Sequence, residues 1–213
     1  MSFFSSDRRR FVPVALLAGA AGTAALSLSV TGTLSAFTAA ITNSSNTSSL
    51  GTLVLQEKSS AGTVTCLSTD GPSNTTNSAT CSTINTYGGG TLANGGSSTV
   101  TVNMTNVGTG TPVAFAVAAG ACTQSGSAPT GITAATDLCG QLSVKIYAAS
   151  TATGTPVYTG TLTAFNAAGA QSLTALAPNA TQAYTFVVSA PSSLNNTYMG
   201  LSASQPLTWT LSS

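Results

Sequence analysis

The chain has 213 residues, room for one domain or two, and 42% of them are hydrophobic, enough to bury a core. Only 4% are charged, against about 25% in an ordinary globular protein, so Thr, Ser, Ala, Gly and Asn fill the surface. With the Arg-rich start set aside, Lys58 and Lys145 stand against Glu57, Asp70 and Asp137; a net of −1 cannot neutralise phosphates, which excludes nucleic acid as a partner.

Residues 1–35 read as an export signal. Arg8, Arg9 and Arg10 supply a positive n-region, and an Ala-, Gly- and Leu-rich stretch runs from Phe11 to about Val30. Small residues follow, so that cleavage after Ser35 places Thr33 and Ser35 at the −3 and −1 positions; cleavage after Ala36 is the second option. A retained anchor is the competing reading, since about 20 apolar residues span a bilayer, but Gly, Ser and Thr are frequent here. Arg8 to Val12 also fits a twin-arginine signal, so the general secretory and twin-arginine routes both stay open.

Ala36 to Thr42 follows as an extended segment with Phe37, Ala39 and Ile41 on one face. The polar run Asn43 to Ser49 then tethers it, so residues 36–49 form a strand on a linker ahead of a domain covering 50–213. Within that domain Leu50–Gln56 and Thr63–Leu67 read as strands, and Asp70 to Ser82 as a loop. Gly88-Gly89-Gly90 and Asn94-Gly95-Gly96 mark a turn region.

Ser98–Asn106 alternates, with Val100, Val102 and Met104 inward; Val113–Ala119 returns with Val113, Phe115 and Val117 in phase. Gly120 to Gly140 reads as a loop. Leu142, Val144 and Ile146 then alternate, Val157–Leu162 is a shorter strand, and Ala167–Leu176 fits either a strand or a brief helix. Ala183–Ala190 and the Leu207, Trp209, Leu211 segment are further alternating strands, separated by a loop over Pro191–Tyr198. Nine or ten strands with frequent turns and no strong helix predict an all-β, jelly-roll-like sandwich.

Four cysteines in an exported chain imply disulfides, and three pairings are possible. Proximity favours Cys66–Cys81 and Cys122–Cys139, each closing a short polar loop. No His is present and no C-x-x-C, so neither a metal centre nor a cofactor is expected.

The same inventory argues against an enzyme, because Ser-His and Cys-His pairs are impossible and the three carboxylates are scattered. Glu57, beside Lys58, reads as a solvated strand end, and Asp70 as a turn residue before Gly71-Pro72. The Gly88–Gly90 run lacks the Lys and helix of a phosphate loop. The sequons at Asn43, Asn74 and Asn179 matter only in a host that glycosylates exported proteins. Trp209 and Tyr184 fit a core, whereas Tyr87 and Tyr198 lie in loops and are the better candidates for a ligand surface.

Three stretches belong together: Thr33-Leu34-Ser35-Ala36-Phe37, the following Leu50-Gly51-Thr52-Leu53-Val54-Leu55, and Thr101 to Gly108 with its Asn-x-Gly turn. The segments Tyr184 to Pro191, Tyr198 to Leu201 and Leu207 to Leu211 join them. In these stretches the chain resembles the TasA/camelysin family of exported proteins. The resemblance implies a jelly-roll subunit of biofilm-matrix fibres or pili, matured by a dedicated signal peptidase. It implies that the mature N-terminal strand of one subunit fills a groove in the next, with Ala36, Phe37, Ala39 and Ile41 in the donor strand. The partners would be further copies of the chain, head to tail, with minor matrix or pilus proteins possible and no membrane once the signal is removed. Peptidase activity described for camelysin-like members is not carried over, since His and an H-E-x-x-H motif are lacking. The alternative is a monomeric secreted glycan-binding or adhesin module using Tyr87 and Tyr198.

Overall fold

Alternation of apolar and Thr or Ser residues is what builds this molecule, because period 2 gives a strand one face to bury and one to hydrate. The computed structural model describes residues 47–72 and 77–213. The leader, the cleavage sites at Ser35 and Ala36, the strand Ala36–Thr42, and Asn43 and Asn74 lie outside the described residues. The fold described below belongs to the unit Ser49–Ser213.

Eleven strands are present among the described residues, rather than nine or ten: β1 Leu55–Ser59, β2 Thr65–Leu67, β3 Ser97–Asn106, β4 Ala114–Ala119, β5 Thr123–Gly126, β6 Ser143–Tyr147, β7 Tyr158–Thr161, β8 Gln171–Leu173, β9 Thr181–Ser189, β10 Leu201–Ser204 and β11 Leu207–Ser212. They form a six-stranded sheet in the order β2-β1-β3-β9-β6-β7, a three-stranded sheet β11-β4-β8 and a two-stranded ribbon β10-β5. Every pairing is antiparallel.

The topology is a jelly-roll wrap. The β3–β4 arm crosses from the large sheet to the small one, and the β8–β9 arm crosses back. The two arms run antiparallel along each other, since β3 pairs with β9 and β4 with β8.

The core fills the space between the sheets. Val102, Met104, Val144, Ile146, Tyr184, Phe186 and Val188 point in from the large sheet, and Phe115 and Val117 from the small one. Trp209 on β11 joins them. Its ring stacks on Phe115 at 5.7 Å and meets Tyr184 and Phe186 of the opposite sheet at 5.2 and 6.0 Å. On the other face of the large sheet hydroxyls pair across the β3·β9 ladder, Thr105 with Thr181 and Thr101 with Thr185, each at 2.8 Å, Thr185 being buried there and donating to the Ala149 carbonyl.

Four expectations are corrected. β1 begins at Leu55, not Leu50, because residues 52–54 are taken by the turn after β3. Gly110 N–H donates to the Thr52 carbonyl and Val107 N–H to that of Val54, both at 2.8 Å. Gly108 permits this approach, since a Cβ there would stand 2.1 Å from the Thr52 carbonyl oxygen. Val113 is 78% exposed because it lies ahead of β4, where inward alternation starts at Phe115.

The supposed loop 120–140 contains β5, which pairs with β10. Short helices also occur, at Leu138–Gln141 and Leu162–Ala168. The second is started by Thr161, whose hydroxyl accepts from Ala164 N–H at 3.1 Å, and it buries Leu162 and Phe165 one turn apart. The ambiguous stretch 167–176 thus holds a helix end followed by β8.

Both expected disulfides are formed, Cys66–Cys81 and Cys122–Cys139, with Cα atoms 5.8 and 6.0 Å apart. No helix among the described residues is long and apolar enough to cross a membrane.

Candidate functional site

The two main sheets do not cover each other fully. The large sheet continues beyond β3 into β1 and β2, whereas the small sheet stops at β11. Among the described residues β11 pairs on one side only, with β4, so its other edge carries unpaired backbone N–H and C=O groups. Between that edge and the inner faces of β1 and β2 runs a groove of about 1310 Å³. Leu55, Glu57, Cys66 and Met104 line it from the large sheet, and Leu207 and Trp209 from β11.

Register explains why Glu57 belongs here. It stands opposite the buried Met104 of β3 and opposite Cys66 of β2, so its side chain shares their inward face. The reading of Glu57 as a solvated strand end is therefore corrected; it is Lys58 that faces outward. Burial raises the Glu57 carboxyl to about 7, and the Trp209 indole N–H beside it pulls only partly the other way. Cations are not among the causes of its shift.

The sign of the pH effect follows. Below about pH 4.5 Glu57 is neutral both folded and unfolded and costs nothing. As pH rises toward 7 the unfolded chain ionises first, so stability falls, and above 7 the loss is complete. Glu57→Gln keeps the site neutral. Urea unfolding at pH 4.5, 6 and 8 is expected to show the variant gaining on the parent by about 2 kcal/mol over that span. Parallel curves would show that Glu57 stays hydrated.

Residues 77–96 cross the groove as a segment without strand or helix. The Cys66–Cys81 bridge fixes one end to the inner face of β2. Ile84, Tyr87 and Leu92 pack against the core cluster, and the Tyr87 hydroxyl donates to Gln205 Oε1 at 2.8 Å. Gln205 is itself held by its amide, which donates to the carbonyls of Gly120 and Leu162, each at 2.8 Å.

Tyr87 is therefore turned into the fold, its ring 6.5 Å from that of Phe186. Tyr198 is half-buried against the same core, and its hydroxyl donates to Asp137 Oδ1 at 2.7 Å. That bond, with a second from Gln141, holds the Asp137 carboxyl below its usual range. The two tyrosines foreseen as a ligand surface do not stand free from their loops. Asp70 fills its foreseen role, accepting from Leu67 N–H at 2.7 Å in the turn after β2.

Among the described residues, clusters of His, Cys, Asp or Glu able to hold a metal ion do not occur. The groove escaped sequence reasoning because it is defined by sheet order. One local signal existed, a lone carboxylate at an inward position of the Leu55–Ser59 alternation. The sequence matches no known protein-family model and no curated protein.

Proposed function

We propose that the chain is a secreted structural subunit that polymerises into extracellular fibres or pili by strand addition. In this reading Ala36–Thr42 of one subunit lies against β11 of the next, with Phe37, Ala39 and Ile41 filling the groove. The observation that carries it is the edge of β11, unpaired among the described residues, beside a groove of mixed lining that offers apolar walls at Leu55, Met104, Leu207 and Trp209. An unpaired edge is a template for another strand, and the main-chain ladder supplies affinity while pockets for alternate side chains supply register. The lengths suit each other, a seven-residue donor against the six residues of β11. Residues 43–49 give a tether of up to about 24 Å to bridge two subunits.

A contact in which one patch engages a different patch does not close on itself and yields a filament. The near-neutral surface removes the repulsion that keeps copies of a protein apart. Two disulfides accord with an oxidising, extracellular setting. The resemblance to the TasA/camelysin family leads to the same reading.

Electron microscopy of the purified secreted protein after incubation at high concentration tests it. Regular filaments are expected from the parent and none from a form lacking residues 36–42. Identical filaments from the deletion would end the strand-addition reading. Persistent single particles from the parent would favour a monomeric surface module instead.

A further inference from the structure

The segment that crosses the groove has a construction unlike the rest of the fold. Residues 82–96 make almost no ladder bonds. Gly88 N–H donates to the Asn85 carbonyl at 3.1 Å and Gly96 N–H to that of Ala93 at 2.8 Å, so these backbone bonds close within the segment. Its links to the body are mainly side-chain ones: the apolar contacts of Ile84, Tyr87 and Leu92, the Tyr87–Gln205 bond, and the Asn94 amide donating to the Leu194 carbonyl. In its middle, Gly88 and Gly89 hold φ of +84° and +64°. A segment with few buried contacts and local backbone bonds belongs to the low-stability end of a fold and opens without global unfolding.

Position gives this a consequence. Ile84, Tyr87 and Leu92 line the same groove whose other walls are Leu207 and Trp209. They share that groove with the side of β11 that has no strand partner among the described residues. Resting on the strand-addition reading, we infer that residues 82–96 are a gate: an internal strap that walls the acceptor groove of the free subunit and swings out to widen it for a donor strand. The Cys66–Cys81 bridge is the fixed end, Gly88 and Gly89 the pivot, and the Tyr87–Gln205 bond the latch. The strap keeps the edge of β11 from pairing indiscriminately, and it makes assembly wait on an opening step.

The test uses the secreted chain and its Tyr87→Phe variant, which keeps the ring and loses only the latch hydrogen bond. Hydrogen exchange followed by mass spectrometry reads the opening. A synthetic peptide of residues 36–42, mixed rapidly with each protein, reads the entry. The strap amides are expected to exchange well before those of β3 and β9, and the variant to raise both that exchange and the peptide's association rate about fivefold, the equivalent of one ordinary hydrogen bond. Strap amides that exchange only together with β3 and β9 would overturn the gate and leave strand addition standing. An association rate identical in the two proteins would do the same. A strap that opens early in proteins that never take the peptide would sink strand addition, and the gate with it.

Discussion

Trp209→Ala is expected to destabilise the fold by about 3 kcal/mol, seen as a lower urea midpoint by circular dichroism. The indole reaches Phe115 in its own sheet and both Tyr184 and Phe186 in the opposite sheet. Removing it strips three aromatic contacts at once. The site cannot collapse easily to compensate, because the ring's remaining side borders the groove. That same partial exposure keeps the cost near the low end of the range for large aromatic truncations. Trp209→Phe should recover about half, since a phenyl ring restores the contact with Phe115 but not the reach to β9. A loss under about 1 kcal/mol for the alanine variant would mean that the β11 sheet is not clamped to the large sheet through this ring.

Removing Cys122–Cys139 by the double change to serine is expected to cost about 3 kcal/mol, because the bridge closes a loop with a sequence separation of 17. Local structure sharpens this expectation. Cys122 precedes β5, and Cys139 sits in the helix Leu138–Gln141, which delivers Leu138 into the core. β5 pairs only with β10 among the described residues, and a two-stranded ribbon is marginal alone. Gln124 assists from one side, its Oε1 accepting from Leu138 N–H at 2.8 Å. The variant should therefore lose protection first in β5 and β10, a pattern that amide exchange resolves from a uniform loss. Uniform loss would place the whole effect in the unfolded chain.

How much of this was legible in the sequence depended on where each residue's partner lies. β3, β6, β9 and β11 were readable because each alternates over five or more positions; the inward residues of β3, β6 and β9 include the buried ones, and those of β11 are partly buried against the same core. β5 and β10 were not, since Thr-Gln-Ser-Gly and Leu-Ser-Ala-Ser carry too little apolar periodicity to mark a face. The helix after Thr161 could have been found. Its hydroxyl caps the helix, and Leu162 and Phe165 have helical spacing, but the preceding Tyr-Thr-Gly-Thr reads so strongly as strand that it masked the change of period. Asn106 shows the same limit at one residue. Its Asn-x-Gly turn was apparent, yet the side chain is wholly buried and also donates to the Leu176 carbonyl at 3.0 Å, a contact 70 positions away. The groove lies at the far end of that scale, since it depends on β11 being an edge among the described residues and on β2 belonging to the other sheet.

The ladder between β3 and β9 joins Thr101 to Thr185, and β11 returns to pair with β4 across a comparable distance in sequence. Such long-range pairings fold slowly, in milliseconds to seconds, because wide loops must close before any contact rewards them. Neither layer can shelter its apolar face until β9 and β11 have both arrived, so the sandwich closes only once the C-terminal strand is available. Trp209 is the chain's single tryptophan and the residue whose docking completes that closure. Its fluorescence is thus an intrinsic clock for the last step of folding, undiluted by any other indole.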